Sequence, residues 1–132
     1  MKISAKEQHG LRAIAELASQ YGQGPVPLSE IAQTQDISLA YLEQVVPSLR
    51  DAGLINSTRG AKGGYELARP PHEITVGDVL RALDGEILPV LCVSQENPKH
   101  CIQENTCAAR TVWQTVHERV TRLLDSMTLA DL

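Results

Sequence analysis

The sequence has no phenylalanine, one tryptophan (Trp113) and three tyrosines among 132 residues. Its core must be aliphatic, and so few aromatics argue against a protein that stacks single-stranded nucleic acid on ring platforms. No apolar run approaches the ~20 residues of a membrane span. Glu7, His9, Arg12 and Glu16 interrupt the stretch where a secretory h-region would lie. The expectation is a cytoplasmic protein with no membrane partner. A cationic excess is also missing. Lys plus Arg number 12 against 16 Asp plus Glu, a formal net charge of −4, and that balance speaks at first sight against nucleic acid. There is no phosphate loop, no H-E-x-x-H and no carboxylate pair with an obvious pocket, so an enzyme is not expected. The length suits one domain, or one domain with an appended helix.

What is present is mostly helical periodicity. Lys2 to Tyr21 reads as a helix with Ser4 as N-cap and Glu7 as its capping-box partner; Leu11, Ile14, Ala15 and Ala18 fall on one face. Gly22, Gly24 and Pro25 end it, and a short helix, Leu28 to Thr34, follows with Ile31 and Ala32 inward. Ser38 caps a third helix carrying Leu39, Leu42, Val45, Val46 and Leu49, in which Pro47 should introduce a kink. Gly53 suits the left-handed position after it. Leu54–Ser57 and Tyr65–Ala68 read as the strands of a hairpin, and its tip is Arg59-Gly60-Ala61-Lys62-Gly63-Gly64. Thr75 caps a helix from Val76 to Leu83. Cys107 opens the last helix, which runs to about Met127. Its stripe of Ala109, Val112, Trp113, Val116, Val120, Leu123, Leu124 and Met127 is sustained for about five turns. A small head offers too little surface to cover that stripe, so a two-fold dimer is expected.

The second and third helices followed by a two-stranded ribbon match a winged helix-turn-helix. The fold class is therefore mainly α with a small β-hairpin wing, plus a long C-terminal dimerisation helix. In such folds the second helix of the pair enters the major groove of double-stranded operator DNA with its N-terminal residues against base edges. Here those residues are Ser38, Ala40, Tyr41, Glu43 and Gln44. Gln44 has the donor–acceptor pair that reads adenine, and Glu43 can accept from cytosine. Arg59 and Lys62 at the wing tip suit a narrow minor groove, and Gly60, Gly63 and Gly64 would let backbone approach phosphates. The organisation expected is a DNA-binding region at 1–70, a connecting helix and cysteine-bearing loop at 71–107, and a dimerisation helix and tail at 108–132.

Three cysteines, spaced Cys92-x8-Cys101-x5-Cys107, are a poor disulfide framework. Thiolates ligate iron–sulfur clusters and zinc, but the C-x2–4-C pairs of structural zinc sites are absent. A cluster, a zinc site, a thiol switch and three unconnected thiols all stay open on spacing alone. His100, Glu104 and His117 are near in sequence, and Glu7 and His9 lie on the first helix, as further candidate ligands.

Several segments resemble the Rrf2 type of transcription regulator: Met1-Lys2-Ile3-Ser4-Ala5-Lys6 with Gly10-Leu11-Arg12-Ala13, Val26-Pro27-Leu28, Ile37-Ser38-Leu39-Ala40-Tyr41-Leu42-Glu43-Gln44, Arg59-Gly60-Ala61-Lys62-Gly63-Gly64-Tyr65, and Thr128-Leu129-Ala130-Asp131-Leu132. The resemblance spans nearly the whole chain, and its cysteines are similar to those of the IscR-like iron–sulfur subgroup. It implies a homodimer with crossed C-terminal helices, and one cluster per subunit on Cys92, Cys101 and Cys107, with 2Fe–2S preferred to 4Fe–4S. It also implies DNA contacts from Ser38, Tyr41 and Gln44, and a minor-groove role for Arg59. The cluster would sense iron–sulfur, redox or nitric oxide status; the alternative is a regulator without a cluster, using the cysteines as a thiol switch or zinc site. Two positions depart from the pattern. Where the subgroup has a ligating His after the third cysteine, this chain has Arg110. Where nitric-oxide-sensing relatives have a first-helix carboxylate supplied by the partner subunit, it has Gln8, flanked by Glu7 and His9.

The net charge is unevenly placed. Residues 1–70 hold seven cations and seven anions, and residues 71–132 hold five cations and nine anions. Within Gly53–Arg69, three cations face one anion, Glu66. The acidic excess lies outside the expected reading head.

Overall fold

A computed structural model describes residues 3–87, 93–94 and 106–132. Helix α1 (Ala5–Ser19) starts at Ser4. The Ser4 hydroxyl accepts from the Glu7 N–H at 3.0 Å, and the Glu7 carboxylate accepts from the Ser4 N–H at 3.1 Å, completing the capping box. The buried face of α1 is Glu7, Gly10, Ala13, Ile14 and Leu17, one residue round from the expected stripe. The reason lies at Gly10: a Cβ there would stand 2.5 Å from Leu83. Without one, α1 and the helix carrying Leu83 cross closely and the Gly10 side turns inward.

Helix α2 (Leu28–Gln35) buries Ile31 and ends at Asp36, which takes a left-handed conformation with φ 53°. The Arg12 guanidinium donates to the Gln35 carbonyl, and at 3.3 Å to the Gln35 side-chain oxygen. A residue of α1 therefore holds the turn between α2 and α3 (Leu39–Asp51). The Ser38 hydroxyl caps α3 by accepting from the Tyr41 N–H at 3.0 Å. Helix α3 is one continuous element through Pro47, with Leu42, Val45, Val46 and Leu49 buried on both sides of it. Burial along the whole helix holds it on course where the lost Pro47 N–H would weaken it.

Strands β1 (Ile55–Thr58) and β2 (Gly64–Leu67) pair antiparallel, from Ile55 opposite Leu67 to Thr58 opposite Gly64. Val26 adds a further rung by exchanging both backbone bonds with Tyr65 at 2.8 Å. A short 3-10 turn at Pro71–Glu73 leads to α4 (Val76–Asp84), where Thr75 and Asp78 form a second capping box. Helix α5 (Ala108–Ser126) follows.

One aliphatic core joins these parts: Ile14, Ile31, Leu42, Leu49, Ile55, Ile74 and Val79 are essentially sealed from water. The chain returns to this core after α5. The Val76 N–H donates to the Met127 carbonyl at 2.8 Å, the Leu129 N–H donates to the Ile74 carbonyl at 3.0 Å, and Leu129 is only 2% exposed. Arg81 grips Asp125 with Nη2 at 2.6 Å from Oδ1 and reaches Asp78 at 3.3 Å. Burial works against ionisation of Asp78, but hydrogen bonds from the Thr75 backbone and hydroxyl and from Arg81 outweigh it and hold the carboxyl below its ordinary range. The hydrogen bond to Asp125 raises Arg81 against its own desolvation.

If the last residues are part of the fold, Leu129→Ala should lower unfolding free energy by about 2–5 kcal/mol, the range for a buried leucine truncated to alanine. Urea denaturation followed by circular dichroism measures it. A loss within about 0.5 kcal/mol, the range of a surface change, would place these residues outside the cooperative unit.

Candidate nucleic-acid interface and cysteine site

The expected reading residues occupy the outer surface of α3. Ser38, Glu43 and Gln44 are exposed, with Leu39 and Ala40 beside them, and Tyr41 is half-buried. The Ser38 hydroxyl is committed to capping, so its local role is to begin the helix, while Glu43 and Gln44 stand free on its flank. Tyr41 packs its ring on the core edge and meets the His9 ring edge-to-face, with centroids 5.3 Å apart and an 86° interplanar angle. His9 belongs to α1, so α1 supports the recognition helix from behind through both His9 and Arg12.

Arg59 and Lys62 are exposed at the wing tip. The tip glycines divide by role. Gly60 has φ +110° and open space around it, leaving its backbone accessible. A Cβ on Gly64 would collide with the Val26 carbonyl, and one on Gly63 with the Thr58 carbonyl. These two glycines let the wing fold tightly and dock on the Val26 rung. Protein backbone by itself requires glycine at these two positions.

Of the three cysteines, Cys107 lies within the described residues; Cys92 and Cys101 lie outside them. Cys107 is a free, half-buried thiol in the N-cap position of α5. A negatively charged thiolate–metal unit is favoured at such a helix start. Among the described residues no three His, Cys, Asp or Glu side chains gather as a metal-binding group. Of the other candidate ligands, His100 and Glu104 lie outside the described residues, His9 packs its ring on Tyr41, and Glu7 and His117 have polar partners. Glu7 is buried in its capping box, and the Gln8 side chain donates to the Ile3 carbonyl at 3.1 Å. His117, 9% exposed, is the one buried residue of α5. Its Nδ1 lies 2.8 Å from the Ile87 carbonyl and so carries a donated proton, and its Nε2 lies 3.6 Å from Glu86. The other Glu86 oxygen accepts from the Ser94 hydroxyl at 2.7 Å. These contacts tie α5 to the start and the middle of the cysteine-bearing loop. Spacing alone could not show that His117 turns inward, because the apolar stripe of α5 runs past it.

That stripe is divided in the structure. Val120, Leu124 and Met127 pack on Val76, Leu80 and Ile87. Val112, Trp113 and Leu123 are 52%, 39% and 58% exposed. Among the described residues the stripe is covered mainly along its C-terminal half, and it is left open at Val112 and Trp113 near the start of the helix and at Leu123 on its edge. No helix among the described residues is long and apolar enough to cross a membrane.

Comparison with known proteins agrees with this architecture. Residues 3–132 match the family model described as Rrf2, iron-dependent transcriptional regulator. The whole chain is 46% identical to the HTH-type transcriptional regulator CymR of Bacillus subtilis, covering 89% of it. It is 38% identical to the HTH-type transcriptional regulator IscR of Aliivibrio salmonicida, covering 77% of it. The solved structure of CymR, described as the global cysteine regulator of B. subtilis, superposes with a TM-score of 0.85 at 44% identity, over 99% of this chain and 95% of that one. With a winged helix-turn-helix head, a long carboxy-terminal helix and relatives that are regulators and not enzymes, the chain belongs to the Rrf2 family of transcription regulators.

Proposed function

We propose that this regulator binds double-stranded operator DNA as a homodimer and reports iron–sulfur or redox status through a cluster held by Cys92, Cys101 and Cys107. The observation that carries the sensing part is the position of Cys107. It is a free thiol at the first turn of α5, the helix whose exposed Val112, Trp113 and Leu123 call for a second copy. Ordering or releasing the cysteine loop then acts on the helix that sets the distance between two reading heads. Dimeric helix-turn-helix proteins read half-sites about 34–36 Å apart, so a small shift of α5 alters operator fit.

The donor set suits the group. Three thiols are the soft ligands that iron–sulfur iron takes. When bound, the cluster supplies a redox- and oxidant-sensitive centre. The chain's own residues hold it and transmit its presence. Glu43 and Gln44 read base edges, Tyr41 and Ser38 fix the helix against the backbone, and Arg59 and Lys62 enter the adjacent groove. A soluble, cytoplasmic setting fits both the thiols and the target.

A second reading rests on the higher identity to CymR than to IscR: the cysteines act as a thiol switch or hold zinc, with no cluster. Anaerobic purification separates the two. A coloured protein with equal iron and sulfide, whose Cys101→Ala variant loses both colour and cluster-dependent operator affinity, supports the first reading. A colourless protein with zinc or three titratable thiols supports the second.

The DNA part has its own test. Arg59→Ala should weaken binding and make the slope of log affinity against log salt shallower by about 2 for the dimer, because each subunit loses one counterion-releasing charge. Fluorescence anisotropy across a salt series measures it, and an unchanged slope places Arg59 outside the interface.

A further inference from the structure

An open cavity of about 480 Å³ lies beside the turn that leads into α3. Arg12, Ala15 and Glu16 line it from α1, Gln35 from the end of α2, and Pro71 and Leu129 from the segments before α4 and after α5. Small-molecule sites have volumes of this order and combine a mostly apolar wall with a few placed polar groups. Among the described residues, neither the exposed side chains of α3 nor the wing cations line it.

The polar groups of this cavity are arranged around a neutral filler. Arg12 and Glu16 stand one helical turn apart, a spacing at which opposite charges are neighbours, ~5–6 Å between Cβ atoms. No ion pair joins them; each turns to Gln35 instead. The Gln35 side-chain oxygen accepts from the Arg12 Nε–H at 3.3 Å, and its Nε2–H donates to Glu16 Oε2 at 3.0 Å. The other Glu16 oxygen accepts from the Gln20 amide at 3.0 Å, which fixes the carboxylate. One uncharged amide therefore lies between a cation and an anion, with its acceptor toward the first and its donor toward the second.

A ligand with a carboxylate facing Arg12 and an ammonium facing Glu16 matches the same pattern with full charges. It adds Coulomb attraction to each hydrogen bond, and a carboxylate can take the guanidinium in its two-bond fork, which one amide oxygen cannot. A free α-amino acid carries both groups on one carbon; a residue within a peptide has lost them. Its side chain then meets Ala15, Pro71 and Leu129, an apolar wall. The Gln35 backbone carbonyl keeps its own bond from Arg12, so the turn before α3 stays fastened when the Gln35 side chain leaves.

We infer that this cavity binds a free α-amino acid with an apolar side chain, its carboxylate on Arg12 and its ammonium on Glu16, in the place that the Gln35 amide now fills. The site uses none of the cysteines and stands independently of the DNA-binding reading.

The test is isothermal titration of the full-length protein with L-valine, L-leucine and L-phenylalanine. At least one should saturate a single site per subunit. Its N-acetyl form, which lacks the ammonium, and its carboxamide, which lacks the carboxylate, should each bind about tenfold more weakly or worse, the effect of one hydrogen bond to a charged group. Gln35→Ala removes the competing amide and should tighten binding by about threefold or more. Ala130→Trp, at an exposed residue on the cavity rim, and Ala15→Met, from the opposite wall, fill the space. Both should abolish binding while thermal melts match the parent. No saturable binding of any of the three amino acids, equal affinity for the capped forms, unchanged or weaker binding by Gln35→Ala, or parent-like affinity in Ala130→Trp would overturn the inference.

Discussion

The structure depends on how α5 is fastened. After a nineteen-residue helix, the chain turns back: Met127 accepts from Val76, Leu129 donates to Ile74, and the Leu129 side chain enters the core of the head. The Arg81–Asp125 pair adds a charged clasp at about one-third exposure, where solvent screening keeps its worth small. The apolar insertion does most of the holding. Fastened at its C-terminal end, α5 carries its first turns clear of the head. Cys107 sits at the N-terminal end of this helix, and the exposed apolar residues lie along it.

From that geometry the working parts fall into order. The reading surface is braced from behind by α1, through Arg12 on the Gln35 carbonyl and His9 on Tyr41. Helix α4 lies between α1 and α5 and touches both. Its crossing with α1 is set by Gly10, and its junction with α5 by His117 against Ile87 and Glu86. From Glu86, Ile87 and His117 a short path of packed contacts runs through α4 and α1 to the recognition helix. Among the described residues, the acid carried by residues 71–132 belongs to α4, α5 and the segments that flank them, outside the hairpin that carries Arg59 and Lys62.

Much of this was legible in the residues alone. Caps are local chemistry, so Ser4 with Glu7, Ser38, and Thr75 marked three helix starts correctly. The wing was legible because glycine and alternation leave few other options. Its strands begin and end within a residue of the reading. The buried face of α1 was misplaced, because two overlapping stripes satisfy the same period. Only the approach of Leu83 to Gly10, a contact distant in sequence, chooses between them. Leu129 read as a short coda because a lone leucine in a five-residue tail has no period; its burial comes from a backbone ladder to Ile74 that no local signal encodes. The exposure of Ser38, Glu43 and Gln44 at and on α3 and the start of α5 at Cys107 follow the local pattern. The inward turn of His117 and the pairing of His9 with Tyr41 are tertiary facts. The wing glycines Gly63 and Gly64 showed that a functional-looking motif can owe its composition to tight backbone packing.

The central claim is that the open side of α5 is a seam between two copies. Sedimentation equilibrium tests it most directly. The account predicts a species of twice 14.4 kDa for the parent protein at micromolar concentration. It predicts a single-subunit mass for Leu123→Glu, a change at a residue that is 58% exposed in one subunit, with the head's thermal unfolding unaltered. A parent protein that sediments at 14.4 kDa across the concentration range would contradict it.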